Sequence, residues 1–208
     1  EIRTPLNAIV GFSDLLEDAE EGERKEFIGI IKNSSDLLLG LVNDVLDLSR
    51  LDSDAFTLSL KECSVYSCCR NAQMSMQQKV MPDVAMTLTC SDKDFVMMTD
   101  SLRLQQLLLN LLTNAAKCTE QGEINLDYQV DRDKQQVVFS VTDTGCGIPP
   151  DKQESIFNRF EKVDEFKQGA GLGLSICRTI ADHFGGTLTV DPDYTRGARF
   201  IFVHPFVG

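Results

Sequence analysis

The 208-residue chain carries 20 Lys and Arg against 32 Asp and Glu, a net charge of −12, and 42% of its residues are apolar. That apolar share supports a packed core and argues against wholesale disorder, and the length allows one large or two modest domains. The acidic excess sits at the N-terminal end, where 13 acidic residues outnumber 5 basic ones in the first 55 positions; such a surface repels nucleic-acid phosphates and anionic lipid, so no nucleic-acid partner is expected.

Ile2, Leu6, Ile9, Phe12 and Leu16 recur at steps of three and four, which predicts an amphipathic helix over 2–16. The acidic stretch 17–23, with Gly22, reads as a turn. Phe27, Ile31, Leu38, Leu41, Val45 and Leu48 follow a heptad-like rhythm and predict a second helix over 23–51. Two helices on a short link form an antiparallel hairpin with one exposed apolar seam. A second copy would bury that seam, giving a homodimer built on a four-helix bundle. Asp52-Ser53-Asp54 reads as a hinge, which sets domains at 1–54 and 55–208.

Beyond the hinge the pattern mixes strands with helices. Phe56–Leu60 alternates as a short strand, 64–79 reads as a helix, and Val84–Thr89 and Phe95–Thr99 read as strands. Asp100 is placed to cap a helix running to about Lys117. Ile124–Val130 and Gln135–Asp143 alternate as an antiparallel pair. A helix over Leu172–Phe184 ends at Gly185-Gly186, and Thr187–Val190 pairs with Ala198–Val203. The expected fold class is therefore α+β: a helical hairpin, then an α/β sandwich with helices on one sheet face. No run of 18 apolar residues occurs, so no direct membrane contact by this stretch is expected, and no signal peptide is visible. The chain opens inside an apparent helix, as an excised segment would.

The seven cysteines are Cys63, Cys68, Cys69, Cys90, Cys118, Cys146 and Cys177, with no Cys-x-x-Cys pair. His183 and His204 are the only imidazoles, so no zinc-site spacing can be built. The thiols read as reduced and mostly buried in a reducing compartment. The two histidines read as packing or solvent-facing groups.

Three short motifs carry chemistry. Asn110 and Asn114 lie at i,i+4 on one helix face, where amide oxygens suit a hard cation such as Mg²⁺; Lys117 follows one turn on and can meet phosphate. Asp143 ends a strand and enters a glycine turn, where Gly145 and Gly147 let backbone approach a ring and the carboxylate can accept from an exocyclic amine. Gly169, Gly171, Leu172 and Gly173 open a helix whose first N–H groups can bind phosphate. Alone, each has a plainer explanation: a polar stripe, an Asp-Gly turn, a flexible loop. In this order and spacing they describe an ATP pocket.

These motifs resemble the catalytic domain of sensor histidine kinases, in the superfamily shared by gyrase, Hsp90, histidine kinases and MutL. Asn110–Thr119 resembles the N box and Asp143–Pro149 the first glycine box. Ile156–Phe160 resembles the F box and Gly169–Leu174 the second glycine box. Glu1-Ile2-Arg3-Thr4-Pro5 resembles the H box, His-Glu-x-x-Thr-Pro, whose acceptor histidine falls just before Glu1.

The resemblance implies ATP and Mg²⁺ as cofactors. Asn114 would be the metal ligand with Asn110 in support, Lys117 and Arg159 would contact phosphate, and Asp143 would hold adenine. Phe160 to about Gly169 would be the lid. Glu1 would take the acceptor imidazole's proton, and Thr4 would orient water for dephosphorylation of the partner. Pro5 would kink its helix. Related ATPases carry a glutamate where Asn110 stands; an amide cannot activate water, which favours transfer to a protein. Many relatives carry an aromatic at Cys118, so nucleotide stacking should be weaker here. The implied partner is a response-regulator receiver domain. The implied location is cytoplasmic, with the parent anchored in the cell membrane. Two alternatives stay open: a nucleotide-sensing dimerisation module, or another kinase or ATPase of the superfamily.

Overall fold

The structure is a computed structural model that describes residues 2–53, 56–161 and 171–206. Glu1 and Gly169, and most of the expected lid, lie outside those residues. Two helices come first, α1 (Arg3–Leu15) and α2 (Glu21–Leu51). Their apolar stripes meet, with the Phe12 and Phe27 rings 5.3 Å apart. The expected turn at 17–23 is shorter than its acidity suggested. Glu20 caps α2, its backbone N–H donating to the Glu23 carboxylate at 3.3 Å, so the helix begins before Glu23. Pro5 falls in the first turn of α1. The carbonyl its ring would leave without a donor belongs to Glu1, so the expected kink lies at the edge of the described residues.

The rest of the chain adds β1 (Lys61–Ser64), α3 (Val65–Gln77), β2 (Val84–Cys90), β3 (Val96–Thr99) and α4 (Ser101–Cys118). It continues with β4 (Gly122–Asp131), β5 (Gln136–Asp143), two 3₁₀ turns (Pro150–Lys152 and Ser155–Phe157), α5 (Gly173–His183), β6 (Thr187–Val190) and β7 (Arg199–Pro205). The class is α+β, as expected. One five-stranded sheet runs β2-β4-β5-β7-β6, and β1 pairs with β3 in a separate ribbon. The β2–β4 pair is parallel and the other neighbours in the large sheet are antiparallel.

Alternation along β4 and β5 sends Ile124, Leu126, Tyr128, Val137, Phe139 and Val141 to one buried face. Against it pack the buried Leu104, Leu107, Leu108, Leu111 and Leu112 of α4 and Ile176 and Ile180 of α5. Asp100 caps α4 as the sequence suggested, its Oδ1 accepting from the N–H groups of Leu102 and Arg103 at 3.2 Å.

The expected strand at Phe56–Leu60 is absent. Strand pairing starts one residue later, Lys61 against Thr99. The alternation that suggested a strand has another cause. Phe56 and Leu58 dock on the core, and the Ser59 N–H donates to Asp100 Oδ2 at 2.9 Å instead of to a neighbouring strand.

Candidate active site

Beside its buried leucine stripe, α4 carries Asn110, Asn114 and Lys117, and these line a cavity of about 590 Å³. Asp143, at the end of β5, lines the same cavity with Cys146, Gly147 and Ile148 of the following turn. Gly171 and Gly173, at the start of α5, complete that wall, and Ala198, just before β7, and Phe200, within it, also contribute.

Asp143 is buried to 2% exposure. Its Oδ1 accepts from the N–H of Gly145 at 2.9 Å and of Ala198 at 3.2 Å. Two fixed donors lock the carboxylate's orientation where a buried charge needs partners.

Three glycines make this geometry possible. A Cβ on Gly145 would lie 2.3 Å from the Cys118 carbonyl oxygen, and one on Gly197 would lie 2.1 Å from the Asp143 carbonyl oxygen. Gly147 takes φ +70°, left-handed backbone that glycine enters without strain. Gly145 thus packs behind the cavity and is not among its lining residues. Gly197 gave no motif signal, because its neighbour Asp143 lies far away in sequence.

At the entrance to α5, Phe160 and Gly171 are tied together. The Phe160 N–H donates to the Gly171 carbonyl at 3.0 Å, and Phe160 itself takes φ +65°, unusual for a residue with a side chain. Leu172 is core, 1% exposed, and serves as the N-terminal boundary of α5. Asn110 bridges the two helices, its Nδ2 donating to the Gly173 carbonyl at 3.4 Å.

Like Gly145, Leu172 and Arg159 are not among the cavity's lining residues, and Thr4, expected beside the acceptor histidine, sits apart on the hairpin. Thr4 is exposed on α1. The Arg159 guanidinium binds both oxygens of Asp52, at 2.8 and 2.6 Å. The fourth wall was not expected at all. Asp36, Leu37, Gly40, Leu41 and Asp44 of α2 close the cavity from the hairpin side. Burial raises the Asp44 carboxyl above its ordinary value and neighbouring Asp47 adds to the rise, while Lys117 opposes it. Glu161, at the rim, is held below its ordinary value by Lys152, whose Nζ donates to it at 3.0 Å.

The cavity fits a nucleotide with a shared cation. Its glycine-backed turn and buried acid suit a planar base, and its lysine and the α5 terminus suit an anion. Among the described residues no group of three His, Cys, Asp or Glu side chains could hold a metal unaided. The side-chain amides of Asn110 and Asn114 on the cavity wall are of the oxygen-donor type that suits a hard cation.

The sequence matches two family models: "His Kinase A (phospho-acceptor) domain" over residues 1–54, and "Histidine kinase-, DNA gyrase B-, and HSP90-like ATPase" over residues 99–208. Hybrid signal transduction histidine kinase A of Dictyostelium discoideum is 32% identical over 223 residues, covering 100% of this chain and 10% of that protein. Full-length ShkA, crystallised with AMPPNP, is 35% identical with a TM-score of 0.79, over 99% of this chain and 44% of that one. Histidine kinase ThkA, crystallised with response regulator protein TrrA, is 27% identical with a TM-score of 0.81, over 99% of this chain and 59% of that one. The chain spans 10% of the length of that Dictyostelium protein, 28% of the circadian input-output histidine kinase CikA of Synechococcus elongatus and 36% of the sensor protein SrrB of Staphylococcus aureus. With both family models matched in order, and the fold shared along nearly its whole length, the chain belongs to the sensor histidine kinase family.

Proposed function

We propose that this chain is a kinase core: residues 1–54 form the dimerisation and phosphotransfer hairpin, and 55–208 the ATP-binding catalytic domain. The observation that carries the reading is the buried, two-donor-locked carboxylate of Asp143 on the same cavity as Asn110, Asn114 and Lys117. Asp143 accepts from the adenine amine. Lys117 neutralises phosphate, and so does Arg159 once it leaves Asp52. Gly145, Gly147, Gly169, Gly171, Leu172 and Gly173 shape backbone around the ligand. Asn114, supported by Asn110, would hold Mg²⁺, which when bound neutralises charge on the phosphates.

The histidine that the H-box resemblance implies before Glu1 would attack the γ-phosphorus through a ring nitrogen. An N–P bond forms, the P–O bond to ADP breaks, and Glu1 takes the imidazole proton. The chain's own contribution is positioning and charge neutralisation. The phosphoryl group then passes to an aspartate of a response-regulator receiver domain, and Thr4 orients water for the reverse clearance of that aspartate.

The homodimer forms through the hairpin, whose outer face exposes Ile2, Leu6, Val10, Leu39, Val42 and Leu46. The location is cytoplasmic, with the parent anchored in the membrane; among the described residues no helix is long and apolar enough to cross one.

The parent protein incubated with γ-labelled ATP should gain acid-labile, base-stable phosphate and pass it to a receiver aspartate. Acid-stable phosphoserine on a partner would replace this reading with another kinase of the superfamily, and Mg·ATP binding without any transfer would replace it with a nucleotide sensor.

A further inference from the structure

The far end of α2 is fastened to the catalytic domain by a run of carboxylates and one backbone carbonyl. Asp47 takes Gln106 Nε2 at 2.7 Å and Arg103 at 3.4 Å. Leu48 and Leu51 are buried, and the Leu51 carbonyl lies 2.9 Å from His183 Nε2. Asp52 grips Arg159 through both oxygens. Phe56 then lies between the Arg103 guanidinium, 5.4 Å from its ring centre, and the His183 ring at 4.6 Å. Further up the helix, Asp36 and Asp44 face into the cavity itself, with Asp44 within electrostatic reach of Lys117. The two cations assigned above to phosphate, Arg159 and Lys117, are thus among those that the acidic edge of α2 engages, beside Arg103.

We propose that this edge is an internal stand-in for the triphosphate: with the hairpin docked, Asp52 holds Arg159 away from the cavity, and ATP binding competes with docking for the same cations. The proposal rests on the reading of Arg159 as a phosphate contact. It identifies an autoinhibitory contact, released when a triphosphate outbids the carboxylate. Both partners are partly exposed, 51% and 42% at the side chain, so one pair supports only about a two- to fivefold change in affinity.

A double-mutant cycle tests it, with Mg·ATP titrated calorimetrically into the chain, Asp52→Asn, Arg159→Ala and the double variant. Asp52→Asn should tighten binding two- to fivefold, Arg159→Ala should weaken it, and Asp52→Asn should have no effect once Arg159 is gone. If Arg159→Ala weakens binding but Asp52→Asn leaves it unchanged, the competition is refuted while the phosphate role survives. If Arg159→Ala changes nothing, the phosphate role itself fails and the inference falls with it. Tightening by Asp52→Asn that persists in the Arg159→Ala background would also overturn it, since general charge removal would then be the cause.

Discussion

Single substitutions separate the structural role of Asp143 from the base-reading role proposed for it. Its carboxylate satisfies one buried and one half-buried backbone donor, so Asp143→Ala should cost about 1–3 kcal/mol of stability by leaving them unpaired. Asp143→Asn keeps one acceptor oxygen but brings an amide donor towards the base. It should lose at least about tenfold in ATP affinity, with less than half the stability loss of the alanine, readable by calorimetry beside thermal melts. His204 sets a pH response. Its Nδ1 donates to the Pro205 carbonyl at 2.6 Å, so in the neutral ring Nε2 accepts from the Thr99 hydroxyl at 2.9 Å. Burial holds this imidazole below its ordinary value, against the raising effect of the Pro205 carbonyl. Between that depressed value and the ordinary one the unfolded chain binds more protons, so stability falls as pH drops. Melting temperature should decline more steeply from pH ~7 to ~5.5 than it does in His204→Gln. The cysteines sort by exposure: Cys146 is exposed on the cavity rim, while burial pushes the Cys177 thiol up to about 12. Alkylation should reach Cys146 first, and ATP should slow it severalfold; equal rates with and without nucleotide would place the ligand elsewhere.

At the level of elements, the site depends on where β5, β7 and α4 end. Gly197 lets the turn before β7 press against the Asp143 backbone, and Gly145 lets the next turn press against the end of α4. Gly197→Ala has no room for its Cβ and should cost roughly 1–3 kcal/mol in stability while also weakening ATP binding. Gly11→Ala, where nothing lies within 4 Å of the added carbon, should be neutral or slightly stabilising and serves as the control. The two glycine boxes were legible because their signals are local: an acid before a glycine turn, glycines before a helix. The helices and paired strands were legible from periodicity, with α4 starting at the expected Asp100 cap and α2 starting earlier than expected because Glu20 caps it. Gly197 was not, because its constraint comes from a strand distant in sequence. Phe56–Leu60 misled for the same reason, as docking against His183 and Arg103 mimics strand alternation.

For the molecule as a whole, a wall of the cavity comes from the hairpin, and no motif could announce it. Asp36 and Asp44 look like solvated helix positions in sequence; only the packing of Leu41, Leu48 and Leu51 against the catalytic domain turns them inward. The opposite face of the hairpin keeps its apolar seam in solvent, with Leu39 62% and Leu46 51% exposed. Replacing both with lysine should shift sedimentation from dimer to monomer without lowering ATP affinity, because neither residue lines the cavity. The central claim, that one cavity joins a base-reading acid to a cation-holding amide, is tested most directly by titrating the chain with ATP in the presence and absence of Mg²⁺. The account predicts one site per chain, tightened by Mg²⁺, with that Mg²⁺ dependence lost in Asn114→Ala and affinity lost in Asp143→Asn. Binding that ignores both substitutions, or no binding at all, would contradict it.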